Sequence, residues 1–230
     1  MNWSGGKDSA LAFYKAKQQG ISVEALVTSV NSGTDRVSMH GVRRELLEKQ
    51  AVSIGLPLHT IVLPEMPGMQ AYENSVHKRH SELKQAGFSQ AIFGDIFLED
   101  LKRYREELLA KDQLECLFPI WKMESREVVK QFLSLGFKAI VICVNSSLLD
   151  QKFCGRLLDE SFVEDLPPQV DPCGENGEYH SFVFDGPIFS EPVSFTKGDV
   201  VFKAYAAPKQ DDCFTLPQPE MGFYFQDLLS

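Results

Sequence analysis

The residues best suited to chemistry lie close to the start of the chain, where small, polar and charged side chains follow one another. They lie between a short predicted strand and a predicted helix that begins near residue 8. Glycines let the backbone approach an anion closely, and a helix start supplies unpaired N–H groups with a favourable dipole. Hydroxyls and a compact ammonium add donors. The pattern predicts phosphate binding but is not the G-x-x-x-x-G-K-[ST] pattern of γ-phosphate transfer. The segment reads Ser4, Gly5, Gly6, Lys7, Asp8, Ser9.

Positioning this loop requires a sheet, and the hydrophobic pattern predicts one. Apolar runs at 23–30, 58–63, 91–96 and 139–144 alternate with helical patterns. This rhythm is typical of an α/β fold with a parallel sheet flanked by helices. The predicted helical face after the first run consists of Val42, Leu46, Leu47, Ala51 and Ile54.

Two glycines are predicted to end helices just before strands, namely Gly87 and Gly136. Beyond residue 150 the apolar runs shorten and prolines become frequent. We therefore predict a phosphate-binding α/β domain at 1–150 and a smaller mixed C-terminal part at 151–230 that binds the acceptor. The tail at 208–230 is too apolar for a solvated tail. It is expected to pack as a strap on the domain, with a homo-oligomer contact as the alternative.

Composition narrows the class of protein. The net charge of -9 argues against a broad nucleic-acid-binding surface. No apolar run reaches the roughly 20 residues that span a bilayer, and no signal peptide is evident, so a cytoplasmic protein without membrane contact is expected. The five cysteines contain no C-x-x-C pair, so neither a disulfide framework nor a zinc site is indicated.

The hexamer at 4–9 resembles the PP-loop of the ATP pyrophosphatases. That resemblance implies a Rossmann-like sheet of the HUP type, ATP and Mg²⁺ as cofactors, and release of pyrophosphate from an adenylated intermediate. It also implies that all six loop residues contact the nucleotide and that Lys7 is catalytic. The strand before the loop is only about three residues long, shorter than the usual first strand of this superfamily.

Further segments narrow the resemblance to one family over residues 1 to 205. Together they look like the diphthine-ammonia ligase family, in a form similar to a bacterial branch. The resemblance implies that ATP adenylates the carboxylate of diphthine on translation elongation factor two and that ammonium supplies the nitrogen that displaces AMP. The segments are Gly94-Asp95-Ile96 with Arg103 and Arg105, Phe118-Pro119-Ile120-Trp121, Gly155-Arg156-Leu157-Leu158-Asp159 and 171–182.

The acceptor end of this expected site is the segment 174–179. Its glycines allow a tight fold in which two carboxylates converge beside an aromatic wall, which suits a cationic acceptor or ammonium. We expect Glu175 and Glu178 to be catalytic and the whole segment to bind the acceptor. The alternative is a charged β-turn between two strands. The residues are Gly174, Glu175, Asn176, Gly177, Glu178 and Tyr179.

Single residues complete the predicted site. Asp95, after Gly94 at a strand end, is a candidate for Mg²⁺ and catalysis, with a plain turn residue as the alternative. Ser29 and His40 are expected near the nucleotide, with a plain loop serine and a capping or surface histidine as the alternatives. Arg103, Arg105 and Arg156 are candidates to neutralise charge on pyrophosphate or the adenylate, and Arg156, inside a matched motif, is the one expected to be catalytic.

Other functions remain open. The enzyme could adenylate a different carboxylate, on a protein or a small molecule, or the chain could be a non-catalytic adenine-nucleotide sensor. A tRNA thiolation enzyme is disfavoured because a catalytic cysteine pair and a basic RNA surface are missing. Cys173, without a recognisable histidine partner, is read as structural.

Overall fold

The protein has a mixed α/β fold in a computed structural model that describes residues 1–37, 41–64, 68–205 and 221–230. The helices are α1 (Lys7–Gln18), α2 (Arg44–Ile54), α3 (Met69–Gln85), α4 (Glu99–Ala110), α5 (Ser125–Ser134) and α6 (Glu160–Glu164). The strands are β1 (Leu26–Asn31), β2 (Arg36–Val37), β3 (Leu58–Leu63), β4 (Gln90–Ile92), β5 (Glu115–Leu117), β6 (Lys138–Asn145), β7 (Tyr179–Asp185), β8 (Thr196–Tyr205) and β9 (Met221–Leu229).

Residues 1–3 connect two small groups of strands. β1 pairs in parallel with β3 and antiparallel with the short β2, while β4 pairs in parallel with β5. Asn2 forms a parallel bridge to Val27 and its N–H donates to the Ile92 carbonyl at 2.9 Å. The Trp3 N–H donates to the Val27 carbonyl at 2.7 Å. The segment therefore lies between β1 and β4, and the 4–9 loop begins where it ends.

Alternating side chains of these strands divide between two apolar cores. Leu26 and Ile92 belong to a core with α1, α2 and α5, whereas Val27 and Ala91 belong to a core with α3 and α4. Because successive side chains of a strand point to opposite faces, the two cores lie on opposite sides of these strands. Helices thus flank both faces.

The sequence prediction was wrong about the strands that pair with β6, which was expected to join the parallel sheet. Its apolar run is a strand, as expected, but it pairs antiparallel with β7 and β9 in a second sheet of order β7-β6-β9-β8. All but one of its eight residues are buried. A strand buried on both faces reads the same whether its partners are parallel or antiparallel, so its hydrophobic pattern could not reveal the sheet.

The two predicted helix exits are confirmed. Gly87 and Gly136 have φ angles of +97° and +82°. Behind them, the N–H groups of Phe88 and Phe137 donate to the carbonyls of Leu83 and Phe132, at 3.1 and 3.3 Å. Each glycine therefore takes the left-handed conformation that closes a helix and turns the chain into β4 or β6.

The C-terminal strand packs on the rest of the chain, which confirms the strap for residues 221–230. β9 lies between β6 and β8, and Asp227 accepts from Arg36 at 2.8 Å and from Arg43 at 2.7 Å. The other residues of the tail lie outside the described part. The domain division at 150 stays a prediction, although β6 precedes that boundary and shares a sheet with the strands that follow it. Across the described residues, no helix has the length and apolar character needed to cross a bilayer.

A buried amide side chain ties the start of the chain to both sheets. Gln50 of α2 is fully buried, and its Oε1 accepts from the Trp3 indole N–H at 2.8 Å. Its Nε2 donates to the Gly5 carbonyl at 3.1 Å and to the Val183 carbonyl at 2.6 Å. Both polar atoms of this side chain are therefore hydrogen-bonded, and together they hold Trp3 and Gly5 between α2 and β7.

We predict that Gln50→Leu destabilises the fold. Leucine fills most of the space but leaves the Trp3 indole and the Val183 carbonyl without their buried partner, which costs about 2–4 kcal/mol of unfolding free energy. Urea denaturation measures the loss. The control is Gln18→Leu on the exposed face of α1, which is expected to change stability by less than about 0.5 kcal/mol. Equal losses in both variants would contradict the prediction.

Candidate active site

The 4–9 loop is held by its own hydroxyls and by one left-handed glycine. Gly5 has a φ of +77°, and a side chain there would collide with Gln50. The Gly6 N–H donates to Ser4 Oγ at 3.2 Å, and Ser9 Oγ donates to the Gly6 carbonyl at 2.8 Å. Gly6 is the N-cap of α1 and offers no capping side chain. The N-cap residue therefore leaves the helix start open to an anion, although the N–H of Lys7 at the first helical position already donates to Ser181 Oγ at 3.2 Å.

Gly94 brings the end of β4 against this loop. A Cβ added there would lie 2.8 Å from the carbonyl carbon of Asp8 and 2.9 Å from the Ser9 nitrogen. Both neighbours are backbone atoms that cannot move aside. Gly94 therefore permits a close approach between the chain after residues 1–3 and the chain after β4, and the crevice beyond parallel strand ends is where open α/β sheets bind ligands.

Lys7 points inward. Its side chain is 3% exposed, and Nζ donates to Asp8 Oδ2 at 2.8 Å and to the Cys173 carbonyl. It also lies 5.2 Å from the centre of the Tyr179 ring. Burial opposes the charge of this ammonium, but Asp8 and then Tyr179 and Cys173 outweigh burial and hold its pKa above the ordinary value. Lys7 thus joins the 4–9 loop to the 171–179 loop, and its predicted catalytic role stays a prediction.

Two carboxylates share this crevice. Glu175 Oε1 accepts from the Ile96 N–H at 2.9 Å, which brings the 171–179 loop to the turn after β4. Burial, followed by the nearby charge of Asp8, raises the pKa of Glu175 to about 7. Burial also raises the pKa of Asp8 against the opposing effect of Lys7, and its Oδ1 is a buried atom without a hydrogen-bond partner. The pair is suited to proton transfer and to binding a cation.

Glu178 serves the loop that contains it. This side chain is buried, and it accepts from the Asp171 N–H at 3.0 Å, the Asn176 N–H at 2.9 Å and the Asn176 amide at 3.1 Å. The expected convergence of Glu175 and Glu178 is therefore not what their contacts show, because their carboxylates have different partners. Gly174 has a φ of +68° and leaves no room for a Cβ beside Tyr179.

Tyr179 is also committed to internal contacts. It is 1% exposed, and its hydroxyl donates to the Pro172 carbonyl at 2.5 Å. Its ring is approached by the Lys7 ammonium rather than left open. Gly177 has a φ of +84° with open space around it, and Asn176 is exposed. Of the predicted acceptor segment, Tyr179 thus contacts Lys7 of the 4–9 loop, and Glu175 supplies a carboxylate close enough to Asp8 for the charge of Asp8 to raise its pKa.

Asp95 has a strong partner. Arg105 donates to both of its carboxylate oxygens, at 2.6 Å and 3.0 Å, and stacks 4.5 Å from the Phe93 ring. A metal ion would have to displace this bidentate pair, so the geometry does not favour the predicted Mg²⁺ role for Asp95. Among the described residues no group of three His, Cys, Asp or Glu side chains is arranged to hold a metal ion.

The remaining predicted residues lie apart from these loops or cannot be placed. The Arg156 guanidinium donates to Asp165 at 2.7 Å and to Ser161 at 3.2 Å, both near its own segment. Ser29 is partly buried in β1 and lines a cavity of about 30 Å³ with Arg105. His40 lies outside the described residues. The roles predicted for all three stay predictions.

Sequence reasoning missed two residues that shape the site. Gln50 fixes Gly5, as described above, and the Ser181 hydroxyl accepts from the Lys7 N–H at 3.2 Å. Gln50 faces the core among apolar residues of a predicted helix, and a lone amide on such a face is the signal that could have indicated a buried hydrogen-bonding role. Ser181 lies within the matched segment 171–182 but carried no pattern of its own.

The amino-acid sequence matches the models of one protein family over most of its length. The model of the diphthamide synthase N-terminal domain matches residues 1–113, and that of the diphthamide synthase C-terminal domain matches residues 124–205. Together they cover most of the chain, and residues 114–123 separate the two matched segments.

Individual relatives include two diphthine–ammonia ligases and one sulfurtransferase. A diphthine–ammonia ligase of Danio rerio is 26% identical over 232 residues, covering 92% of this chain and 89% of the relative. One of Homo sapiens is 26% identical, with coverage of 86% and 82%. A tRNA-5-methyluridine(54) 2-sulfurtransferase of Pyrococcus horikoshii is 28% identical over 60% of this chain and 53% of the relative. The chain belongs to the diphthamide synthase family and is an enzyme of the ligase class.

Proposed function

We propose that this protein is an ATP-dependent amide-forming ligase that adenylates an acceptor carboxylate and then lets ammonia displace AMP. The observation that carries the proposal is the meeting of the 4–9 loop, the Gly94 turn and Glu175 in one crevice. Phosphate-binding features and a proton-accepting carboxylate are thereby adjacent. Both are needed when a carboxylate is activated and then aminated.

The nucleotide half rests on the fold around the loop. With residues 1–3 counted as a central member, the parallel pairings and backbone bonds give the order β3, β1, 1–3, β4, β5. This is the arrangement expected of a Rossmann-like sheet, with the 4–9 loop at its switch point. The start of α1 and the Ser4 and Ser9 hydroxyls would bind the β- and γ-phosphates and stabilise the charge that develops on pyrophosphate.

Mg²⁺ fits Asp8 better than Asp95. Asp8 Oδ1 is buried and has no hydrogen-bond partner. Glu175 lies close enough to Asp8 for the charge of Asp8 to raise the pKa of Glu175. Carboxylate oxygens of this kind are the usual protein ligands of Mg²⁺, whereas both oxygens of Asp95 already accept from Arg105. When bound, the ion would neutralise phosphate charge during departure of pyrophosphate.

Glu175 is proposed as the base of the second half-reaction. A pKa of about 7 makes its ionised carboxylate a stronger base than an ordinary glutamate, so near neutral pH it is matched to taking a proton from ammonium or from the attacking nitrogen. Glu178 and Tyr179 would act indirectly, by holding the 171–179 loop in the shape that presents Glu175. Lys7 would do the same from the other side.

Diphthine on elongation factor two is the acceptor that the diphthine–ammonia ligase relatives suggest. Another protein or small-molecule carboxylate is the alternative, since the described contacts select for no particular acceptor. A sulfur-transfer activity like that of the archaeal relative is less well supported. Burial raises the pKa of Cys116 to about 11 and those of Cys143 and Cys154 to about 12, so these described thiols are poor nucleophiles at neutral pH. The proposed location is the cytoplasm.

The decisive assay supplies Mg-ATP, ammonium and a diphthine-bearing elongation factor two. We expect AMP and pyrophosphate in a one-to-one ratio with an amide product, and no AMP without acceptor. A panel of small carboxylates tests the alternative acceptors. Formation of ADP and phosphate, or ATP binding without turnover on any acceptor, would show that the proposal is wrong.

Gly94→Ala is predicted to damage nucleotide binding. The added methyl would meet backbone atoms of Asp8 and Ser9 and push the turn after β4 away from the 4–9 loop. We expect the KM for ATP to rise by about tenfold or more, which corresponds to roughly 1.4 kcal/mol of lost binding. The matched control is Gly68→Ala, where no atom lies within 4 Å of the added Cβ and the KM is expected to stay unchanged.

The pKa of Glu175 predicts a pH profile for amide formation. A base must be ionised, so with free ammonia held constant the rate is expected to rise as the pH passes through about 7 and then to level off. Glu175→Gln should remove this rise and lower the amination rate by about 10²–10³-fold. Acceptor-dependent exchange of pyrophosphate into ATP, which reports adenylation alone, should persist in the variant. A profile that the substitution leaves unchanged would exclude Glu175 as the base.

A further inference from the structure

The edge of the second sheet is the most exposed regular element described. β8 is ten residues long and ends the order β7-β6-β9-β8, so in the described part of the chain β9 is its single neighbour. Its residues 201–204 are all exposed, with Val201 at 46% and Phe202 at 52%. An edge strand presents unpaired N–H and C=O groups that can bind another strand.

The charges on this strand are arranged in a self-complementary way. Asp199 and Lys203 lie two residues to either side of Val201, both are exposed, and neither forms an ion pair with another described residue. In an antiparallel pair of two copies of β8 centred on Val201, each Asp199 lies opposite a Lys203. In the same register each Val200 lies opposite a Phe202, so charged and apolar residues all meet suitable partners.

We propose that two copies of this chain associate through β8, pairing antiparallel about Val201 into a continuous eight-stranded sheet. The two copies are related by a two-fold axis, which makes every cross-strand contact occur twice. The irregular register between Lys197 and Val200 includes Asp199 and bends the strand at the start of this stretch, which limits the pairing to residues 199–203. The inference is independent of the proposed enzymatic function.

The geometry favours β8 over the other strand edges. β3 and β5, at the ends of the parallel groups, have six and three residues, and β7 is largely buried. Lys203 leans toward the neighbouring strand β9, with its Nζ 5.7 Å from the centre of the Phe225 ring. This contact partly orders the lysine side chain, which reduces the entropy lost when a partner carboxylate binds its ammonium.

Charge reversal tests the pairing with the full chain. Analytical ultracentrifugation across a concentration series is expected to show a monomer–dimer equilibrium. Asp199→Lys and Lys203→Asp should each raise the dimer dissociation constant by on the order of tenfold, because each creates two like-charged pairs. The double variant Asp199→Lys/Lys203→Asp restores opposite charges and should return the constant to within about threefold of the original.

Two matched variants isolate the edge. Val201→Lys places two ammonium groups at the centre of the interface and should abolish the dimer, whereas Val52→Lys makes the same change at an exposed position of α2 and should have no effect. Circular dichroism confirms that each variant is folded. A monomer at every concentration, a dimer insensitive to both single reversals, or a double variant as weak as the singles would each overturn the proposal.

Discussion

The burial of one ammonium group determines how the two ends of the candidate site are joined. Lys7 lies in the 4–9 loop, yet its Nζ is bonded to Asp8 and to a carbonyl of the 171–179 loop and lies beside Tyr179. A buried charge is costly unless it is fully hydrogen-bonded, so separation of the two loops would cost the ammonium its carbonyl acceptor and its contact with the Tyr179 ring. Segments more than 160 residues apart in the chain are thereby fixed relative to each other, and the crevice between them keeps its shape.

That constraint explains why two glutamates three residues apart do different work. Glu178 is drawn into the turn and satisfies the N–H groups of Asp171 and Asn176, which are needed to shape the loop. Glu175, one short turn earlier, accepts a single backbone bond from Ile96 and remains under the influence of Asp8. Hydrogen bonds commit the carboxylate of Glu178 to the loop, whereas burial and the charge of Asp8 raise the pKa of Glu175. The two glutamates therefore differ in role because their surroundings differ, although their side chains are identical.

The sequence was informative where function depends on backbone conformation. Gly5, Gly94 and Gly174 occupy positions that exclude a Cβ, and their motifs could be recognised without coordinates. It was uninformative where side-chain direction depends on distant partners. Nothing local indicates that Lys7 turns inward toward Cys173 or that Arg105 occupies both oxygens of Asp95. Likewise, the apolar run of β6 predicts a buried strand but not the strands beside it, because pairing partners are chosen by tertiary contacts.

The position of β9 between β6 and β8 affects the order in which the second sheet can form. β8 precedes β9 along the chain, yet all of its described sheet pairing is with β9, whereas β6 and β7 already pair with each other. During synthesis, a chain that has emerged only as far as residue 205 can complete the β6–β7 pair but leaves β8 without a template. The arrival of residues 221–229 then attaches two strands in one step, and the Asp227 carboxylate brings them against Arg36 and Arg43. Until then, both edges of the ten-residue β8 segment are open to pairing with another chain.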